Sequence, residues 1–183
     1  MRRELIHHSK FLSLVLRHDP SVLGLSLDES GWVEVKELLA ALRDVRPELD
    51  QELLLEIVET NEKKRFAFSQ DRLRIRASQG HSIGVDLGLP PVAPPQFLFH
   101  GTAKTNLALI FQEGLKSGQR DFVHLSIDQG TAHAVGARHG HPAVIRVQSG
   151  VMHTEGHTFF VSDNMVWLTE YVPIQYLERD HGD

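Results

Sequence analysis

Apolar residues recur every three or four positions in three early segments of the chain, which is the spacing of one face of a helix. The pattern predicts helices over 4–16, 35–42 and 51–62. The first should end at His18, because the Asp19-Pro20 pair that follows disfavours helical backbone. Asp50 stands where a helix N-cap is expected, immediately before the third segment. The pattern therefore predicts that the first sixty residues contain three helices.

The apolar period changes from 3.6 to 2 after the third helix. Residues 65–68 and 72–76 alternate, and Ser-Gln-Asp at 69–71 separates them, which predicts a β-hairpin. In its second strand Leu73 and Ile75 should face one way and the arginines the other, namely Arg72, Arg74 and Arg76. Helices followed by a two-stranded wing favour a winged-helix module.

Glycine and proline are concentrated between 78 and 96, which predicts an extended connector instead of a packed element. We place the domain boundary there, with one domain over 1–90 and another over 96–183. Short apolar runs after the boundary predict strands over 97–99, 123–125, 143–147, 158–161, 166–168 and 174–177. Helices are predicted over 105–112 and 129–135, the first capped by Gly114. The fold class is α+β, with a small β-sandwich as the second domain.

Composition narrows the class of protein. Apolar residues make up 41% of the 183, enough for real cores, and the net charge of −5 argues against a general nucleic-acid coat protein. Six basic residues face two acidic ones between 61 and 80, so a local basic site stays open. Cysteine is absent, which excludes disulfides and thiolate metal sites. No apolar run reaches membrane-spanning length, so we expect no membrane contact and a cytoplasmic location.

Three arginines beside apolar stretches are candidates for phosphate binding, because a guanidinium gives planar, two-pronged recognition. They are Arg17, Arg65 and Arg120; an ordinary solvated surface charge is the alternative for each. His18 suits an acid, a base or a phosphate donor, or a histidine placed at a helix C-terminus by the helix dipole. The alternating arginines of the hairpin suit contact with a nucleic-acid backbone, or form a plain polar face.

His100-Gly101-Thr102 closes a predicted strand and opens a predicted helix, where a helix N-terminus favours anions and glycine admits a ligand. Histidine pairs at 7–8 and at 139 and 141 lack a third ligand at a recognisable spacing, so no metal site is predicted. Neither a dinucleotide-binding glycine motif nor a serine-hydrolase elbow is present.

Taken in order, these segments resemble the RNA 2′-phosphotransferase family of the KptA type over nearly the whole chain. The segments are SKFLSLVLRH at 9–18, GWV at 31–33, KRF at 64–66, RIRA at 74–77, QGHS at 79–82, HGT at 100–102, VHLS at 123–126, DN at 163–164 and VWLT at 166–169. Two positions depart from the family pattern: Met165 replaces an expected glycine, and Ser78 a frequent asparagine.

The resemblance implies an N-terminal winged-helix lobe that binds RNA and a C-terminal lobe of the ADP-ribosyltransferase type that binds NAD. The implied enzyme moves an internal RNA 2′-phosphate to NAD in two steps through an ADP-ribosylated RNA 2′-phosphate. Its products are RNA with a 2′-hydroxyl, nicotinamide and ADP-ribose 1″,2″-cyclic phosphate. The resemblance also implies a monomeric enzyme that needs no metal and acts in tRNA splicing and tRNA processing.

Residue by residue, the resemblance implies a catalytic set of Arg17, His18, Arg65 and Arg120. It implies NAD contacts at His100, Gly101, Thr102, His124, Leu125, Ser126, Arg138, Phe159 and Phe160. RNA contacts are expected at Lys64, Arg74, Arg76, His81 and Ser82. Two alternatives stay open: an ADP-ribosyltransferase that caps nucleic-acid phosphate ends, and a non-catalytic winged-helix regulator that senses NAD.

Overall fold

In the computed structural model, which describes residues 3–61 and 63–179, the chain divides into two units between Gly88 and Leu89. The described residues form six α-helices and several small antiparallel sheets, so the protein belongs to the mixed α/β class. Among these residues, no helix has the length and apolar character needed to cross a bilayer.

The first unit places three helices against one small sheet. Its elements are α1 (Arg3–Arg17), β1 (Val33–Glu34), α2 (Val35–Leu42), α3 (Gln51–Thr60), β2 (Phe66–Phe68) and β3 (Arg74–Ala77). The strand order is β1-β3-β2, all antiparallel. Fully buried side chains from the helices and from β3 form the core, among them Leu12, Leu16, Leu38, Leu54 and Ile75.

The three predicted helices are confirmed. Because the Asp50 carboxylate accepts a hydrogen bond from the Leu53 N–H at 2.9 Å, the predicted N-cap of α3 is confirmed as well. That helix ends at Thr60, and position 62, which the prediction included, lies outside the described residues.

The hairpin exists, but its second strand begins later than predicted. Arg72 has a left-handed backbone with φ of +61°, and Leu73 is 61% exposed. The Asp71 carboxylate accepts hydrogen bonds from the Leu73 N–H at 3.0 Å and from the Ser69 hydroxyl, which extends the turn up to Arg74. The predicted alternation is therefore wrong for Arg72 and Leu73 and holds only from Arg74 onward.

The predicted connector over 78–96 is wrong in its first half, which packs on the first unit. The Ser82 N–H donates to the Arg17 carbonyl at 2.9 Å, and the Asp86 N–H donates to the Glu29 carbonyl at 2.8 Å. Ser78, His81 and Leu87 are buried, so this stretch lacks regular structure without being a loose linker.

The second unit contains eight strands and three α-helices among its described residues. The strands are β4 (Leu98–Ala103), β5 (Leu115–Lys116), β6 (Val123–Leu125), β7 (Pro142–Val147), β8 (Phe160–Val161), β9 (Trp167–Thr169), β10 (Tyr171–Val172) and β11 (Leu177–Arg179). The helices are α4 (Leu107–Glu113), α5 (Gln129–Gly136) and α6 (Ser149–Thr154). Two three-stranded sheets, β11-β7-β4 and β6-β9-β8, meet where Phe99 and Ser126 exchange backbone hydrogen bonds.

The sequence pattern predicted one strand of this unit wrongly and did not predict one of its helices. The segment predicted as a strand over 174–177 is a 3-10 helix (Ile174–Tyr176), and the strand begins only at Leu177. Helix α6 was not predicted, because its first turn is anchored by distant backbone groups. The Ser149 hydroxyl donates to the Pro95 carbonyl at 2.7 Å, and the Gly150 N–H donates to the Gln96 carbonyl at 3.1 Å.

Candidate active site

The C-terminal end of α1 presents the first two candidate catalytic residues. Arg17 is the last helical residue, and its Nη2 donates to the Arg65 carbonyl at 3.2 Å. His18 follows it, with its ring Nδ1 2.8 Å from the Ser82 hydroxyl oxygen. The structure therefore brings together Arg17, His18, Arg65 and Ser82, which come from three separate stretches of the sequence.

Arg65 lies in a tightly bonded turn after α3. The Asn61 side-chain oxygen accepts from Arg65 Nη1 at 3.3 Å and from the Lys63 N–H at 3.1 Å. Lys64 has a left-handed backbone with φ of +40°, and its N–H donates to the Asn61 carbonyl at 2.8 Å. The Ser78 hydroxyl donates to the Lys64 carbonyl, also at 2.8 Å. Such strain persists only where neighbouring bonds hold it, as they do here.

Asn61 and Ser78 are site residues that sequence reasoning missed. Asparagine after a helix is an ordinary capping signal, so nothing local distinguishes Asn61 from other helix ends. In the sequence, Ser78 stands out only as a departure from the family pattern. Its N–H donates to the Arg65 carbonyl at 2.9 Å, in addition to its hydroxyl bond to Lys64.

His81, predicted to contact RNA, is only 2% exposed. Burial, reinforced by the charges of Arg17, Arg76 and His18, lowers the pKa of His81 to about 4. The ring is therefore neutral at pH 7 and adds no charge beside the arginines. Its neighbour Ser82 is exposed and faces His18.

The two predicted RNA-contact arginines of the wing stack on one indole. The guanidinium carbons of Arg74 and Arg76 lie 5.4 Å and 4.5 Å from the Trp32 ring centroid. Arg74 also pairs with Asp28 at 3.6 Å, and Arg76 Nη1 donates to the Leu87 carbonyl at 3.2 Å. These contacts engage both side chains within the unit, Arg76 more deeply than the exposed Arg74.

In the second unit, His124 connects two further candidates through its ring and its backbone. Arg120 Nη1 donates to His124 Nδ1; since arginine only donates, the His124 ring accepts at Nδ1 and carries its proton on Nε2. The His124 carbonyl lies 3.0 Å from His100 Nδ1, which must donate to it. Arg120, His124 and His100 thus form one hydrogen-bonded series.

The charge state of this series follows from burial. Burial lowers the pKa of His100, and the charges of Arg120 and His139 act in the same direction, against the hydrogen bond to His124. His100 is therefore neutral with its proton on Nδ1, which leaves Nε2 as an acceptor. Partial desolvation also lowers the pKa of the Arg120 guanidinium, although arginine keeps its charge in proteins.

His100, Gly101 and Thr102 lie within strand β4 and do not open a helix, so the expected helix N-terminus at this motif is wrong. Gly101 has a packing reason. A Cβ built there would lie 1.7 Å from the Ala132 carbonyl oxygen in α5, so the strand and helix touch through backbone. Thr102 is buried and accepts a hydrogen bond from Asn106 Nδ2 at 3.1 Å.

The side chains of the remaining predicted NAD contacts differ in their exposure to solvent. The side chains of Leu125 and Phe159 are buried in the core. Phe160 is half-buried, with its ring 5.5 Å from that of Phe122 in an edge-to-face arrangement. Ser126 is half-buried, and Arg138 is exposed just beyond α5. Within the described parts of the chain, no group of three or more His, Cys, Asp or Glu residues is arranged to hold a metal ion.

Comparison with known proteins gives a consistent result. The family model described as "RNA 2'-phosphotransferase, Tpt1 / KptA family" matches residues 3–171. A protein of Hahella chejuensis named "Probable RNA 2'-phosphotransferase" is 51% identical over 177 residues, which cover 97% of this chain and 95% of the relative. Proteins of the same name from Agrobacterium fabrum and Flavobacterium johnsoniae are 53% and 51% identical. Those matches cover 92% and 93% of this chain and 91% and 93% of the relatives.

Proposed function

Because this chain belongs to the RNA 2′-phosphotransferase (Tpt1/KptA) family, we propose that it removes an internal 2′-phosphate from RNA by transferring it to NAD. The observation that carries the proposal is the convergence of Arg17, His18 and Arg65 in the first unit. The reaction takes two steps and yields 2′-hydroxyl RNA, nicotinamide and a cyclic phosphate of ADP-ribose.

The first unit binds the RNA phosphate. Arg17 and Arg65 bring two permanent positive charges, and the bond from Arg17 Nη2 to the Arg65 carbonyl ties the Arg17 side chain to the Arg65 backbone. A phosphate oxygen accepts N–H bonds from such guanidiniums in the bidentate manner that lysine cannot match. One well-placed donor of this kind stabilises a transition state by about 3–4 kcal/mol. His18 donates to the phosphate or moves a proton at its ring Nε2.

The residues of the second unit fit a dinucleotide with ribose hydroxyls. His100 Nε2 is an acceptor in a neutral ring, which suits the donor hydroxyl of a sugar. Phe160 on β8 offers an aromatic surface, and Ser126, directly after β6 of the same sheet, offers a hydroxyl. Gly101, Thr102, His124, Leu125, Phe159 and Arg138 complete the proposed binding set, with Leu125 and Phe159 contributing through backbone.

When bound, NAD supplies the ribose carbon that takes the phosphate and the nicotinamide that leaves. The RNA phosphate is already an anionic nucleophile, so the protein needs rigid positioning more than a strong base. In the second step the adjacent hydroxyl of that ribose would attack phosphorus as the RNA 2′-oxygen leaves, and negative charge would accumulate on the phosphoryl oxygens. Arg120 stabilises that charge in this proposal, and its hydrogen bond to the His124 ring fixes the direction of its guanidinium.

We further propose that the first unit is a winged-helix RNA-binding lobe over 1–90, and the second an ADP-ribosyltransferase-like NAD lobe over 96–183. The helix-strand-helix-helix-strand-strand order of the first unit supports the former assignment. Lys64, Arg74 and Ser82 form the proposed RNA contacts; His81 is buried and supports the segment that carries Ser82, and Arg76 holds the wing through Trp32. The cytoplasmic location, the monomeric state, the roles in tRNA splicing and tRNA processing and the independence of metal stay predictions.

Incubation with NAD and an oligoribonucleotide that carries one internal 2′-phosphate tests the function. Nicotinamide release, loss of the 2′-phosphate and formation of the cyclic phosphate are expected in equal amounts. A stable ADP-ribosylated phosphate would instead favour a capping enzyme. Specific duplex-DNA binding without NAD turnover would favour a regulator. No NAD-dependent loss of phosphate would refute the proposal.

Two variants test the assigned roles. Arg65→Ala should abolish turnover while most NAD affinity stays, because its proposed target is the RNA phosphate. Arg120→Ala should also abolish turnover and keep the fold. Full turnover by either variant would contradict its role.

A further inference from the structure

We propose that Asn61 is a positioning residue that holds the Arg65 guanidinium, and the turn before it, ready for the RNA 2′-phosphate. The inference rests on the proposed function only for the identity of the ligand. Asn61 touches no substrate in this proposal and acts through Arg65. It lies at the end of α3 and is 3% exposed.

The bonds of Asn61 fix the direction of its amide. Its side-chain oxygen accepts from Arg65 Nη1 at 3.3 Å and from the Lys63 N–H at 3.1 Å, and both partners only donate. Its Nδ2 donates to the Ser9 hydroxyl oxygen at 3.2 Å, and Ser9 is 1% exposed. Turning the amide over would place its N–H groups against two donors. The acceptor is therefore held towards Arg65 by a fully buried partner.

Ser9 connects this bond to the helix that carries Arg17. Ser9, Ser13 and Arg17 are four residues apart on α1 and share one helix face. The Ser13 hydroxyl donates to the Ser9 carbonyl at 2.8 Å on that face. Since Arg17 in turn donates to the Arg65 carbonyl, Asn61 and Arg17 hold Arg65 at its side chain and at its backbone. Both guanidiniums are thus positioned from α1.

The turn itself makes such support necessary. Lys64, immediately before Arg65, has the left-handed φ of +40° that non-glycine residues rarely adopt. Its N–H bond to the Asn61 carbonyl closes the turn, and the Asn61 side chain holds the Lys63 N–H inside it. Loss of the side chain releases the turn and returns rotamer freedom to Arg65. A displacement of about 1 Å at a reacting group can cost about a hundredfold in rate.

A double-mutant cycle on binding, with the full chain and no NAD, tests this. The probe is an oligoribonucleotide with one internal 2′-phosphate, compared with the same oligonucleotide carrying a 2′-hydroxyl, by fluorescence anisotropy. Asn61→Ala should weaken the phosphorylated probe about tenfold, the size of one bond to a charged group, and the hydroxyl probe less than about twofold. In an Arg65→Ala background, Asn61→Ala should change neither.

An equal loss on both probes, or the same tenfold loss without Arg65, would show a merely structural role and overturn the inference. Thr60→Ala is the matched control, because the Thr60 hydroxyl donates only to Glu56 within α3. If Asn61→Ala yields no folded protein, Ser9→Ala replaces it in the same double-mutant cycle. Ser9→Ala should weaken binding of the phosphorylated probe about threefold, and only when Arg65 is present. Additive losses there would equally overturn the inference.

The outcome separates this inference from the proposed function. A wild-type protein that releases no nicotinamide but shows the coupling refutes the function and supports the positioning role. A wild-type protein that turns over, with an additive cycle, refutes the positioning role alone.

Discussion

His18 Nδ1 lies 2.8 Å from the Ser82 hydroxyl oxygen, across 64 residues of sequence. The same serine donates its N–H to the Arg17 carbonyl at 2.9 Å, so it contacts both residues at the end of α1. One ring nitrogen of His18 is engaged by this hydroxyl. In the proposed reaction the His18 ring then acts through Nε2. The hydrogen bond to Ser82 fixes the orientation of the ring and therefore the direction of Nε2.

Ser82→Ala should therefore lower the maximal rate of 2′-phosphate removal about three- to tenfold, because the His18 ring loses its orienting partner. The free energy of unfolding should stay unchanged, since Ser82 is exposed. Single-turnover kinetics with saturating NAD and a 2′-phosphorylated oligoribonucleotide measure the rate. Ser26→Ala, at another exposed serine of the same unit, is the control. An unchanged rate for Ser82→Ala would remove this role.

Met165→Gly should stabilise the second unit by about 0.5–1 kcal/mol. Met165 has φ of +62° in the turn between β8 and β9, where its N–H donates to the Ser162 carbonyl at 2.8 Å. Its side chain is 71% exposed, so little packing is lost. Thermal unfolding should show a higher midpoint. Gly118→Ala is the mirror control: with φ of +67° and open space around it, it should destabilise by a similar amount. Equal midpoints for Met165→Gly and wild type would contradict the backbone argument.

Gly101→Ala should cost the second unit more than about 3 kcal/mol or prevent its folding. The new methyl group would meet the Ala132 carbonyl oxygen at 1.7 Å, and neither backbone can move alone. Yield of soluble protein and chemical denaturation measure the effect. Gly84→Ala, whose added Cβ would have no neighbour within 4 Å, should leave both unchanged. If Gly101→Ala keeps the stability of the wild type and changes only NAD binding, the packing argument is wrong. The glycine would then be needed to let a ligand approach the backbone.

Local signals in the sequence predicted what local physics determines. Helix α2 has the predicted bounds, and α3 begins at the predicted cap, because periodicity and capping involve neighbours within a few residues. Helix α6 has only six residues and depends on the distant Pro95 and Gln96, which no sequence window contains. The packing of residues 78–88 was not predicted either, because their hydrogen-bond partners Arg17 and Glu29 are distant in the sequence.

The candidate site divides in the same way. Arginine chemistry pointed to phosphate at Arg17, Arg65 and Arg120, and family resemblance supplied NAD. Neither the arginine chemistry nor the resemblance indicates that Asn61 supports Arg65. In the sequence, an asparagine that is buried against an arginine looks the same as one that only caps a helix. Resemblance also could not show that Gly101 is required by packing against α5.

The buried His81 makes the stability of the first unit depend on pH. Its folded pKa of about 4 lies below the ordinary value of 6.5, because burial and the nearby charges of Arg17, Arg76 and His18 oppose protonation. Between these two values the unfolded chain binds a proton at His81 that the folded chain does not. The free energy of unfolding therefore falls as the pH drops through 6.5 and continues to fall until about pH 4.

Between pH 7 and pH 5 this histidine alone should cost about 2 kcal/mol of unfolding free energy, from the difference between its two pKa values. In His81→Leu that share should vanish, so the variant loses about 2 kcal/mol less than the parent over the same range. Urea denaturation at both pH values, followed by the fluorescence of Trp32 in a Trp167→Phe background, reports on the first unit. His133→Gln, at an exposed histidine of the second unit, should keep the pH dependence of the parent. Equal pH dependence in His81→Leu and the parent would mean that His81 titrates alike in folded and unfolded chains, and that its burial beside Arg17 does not hold it neutral.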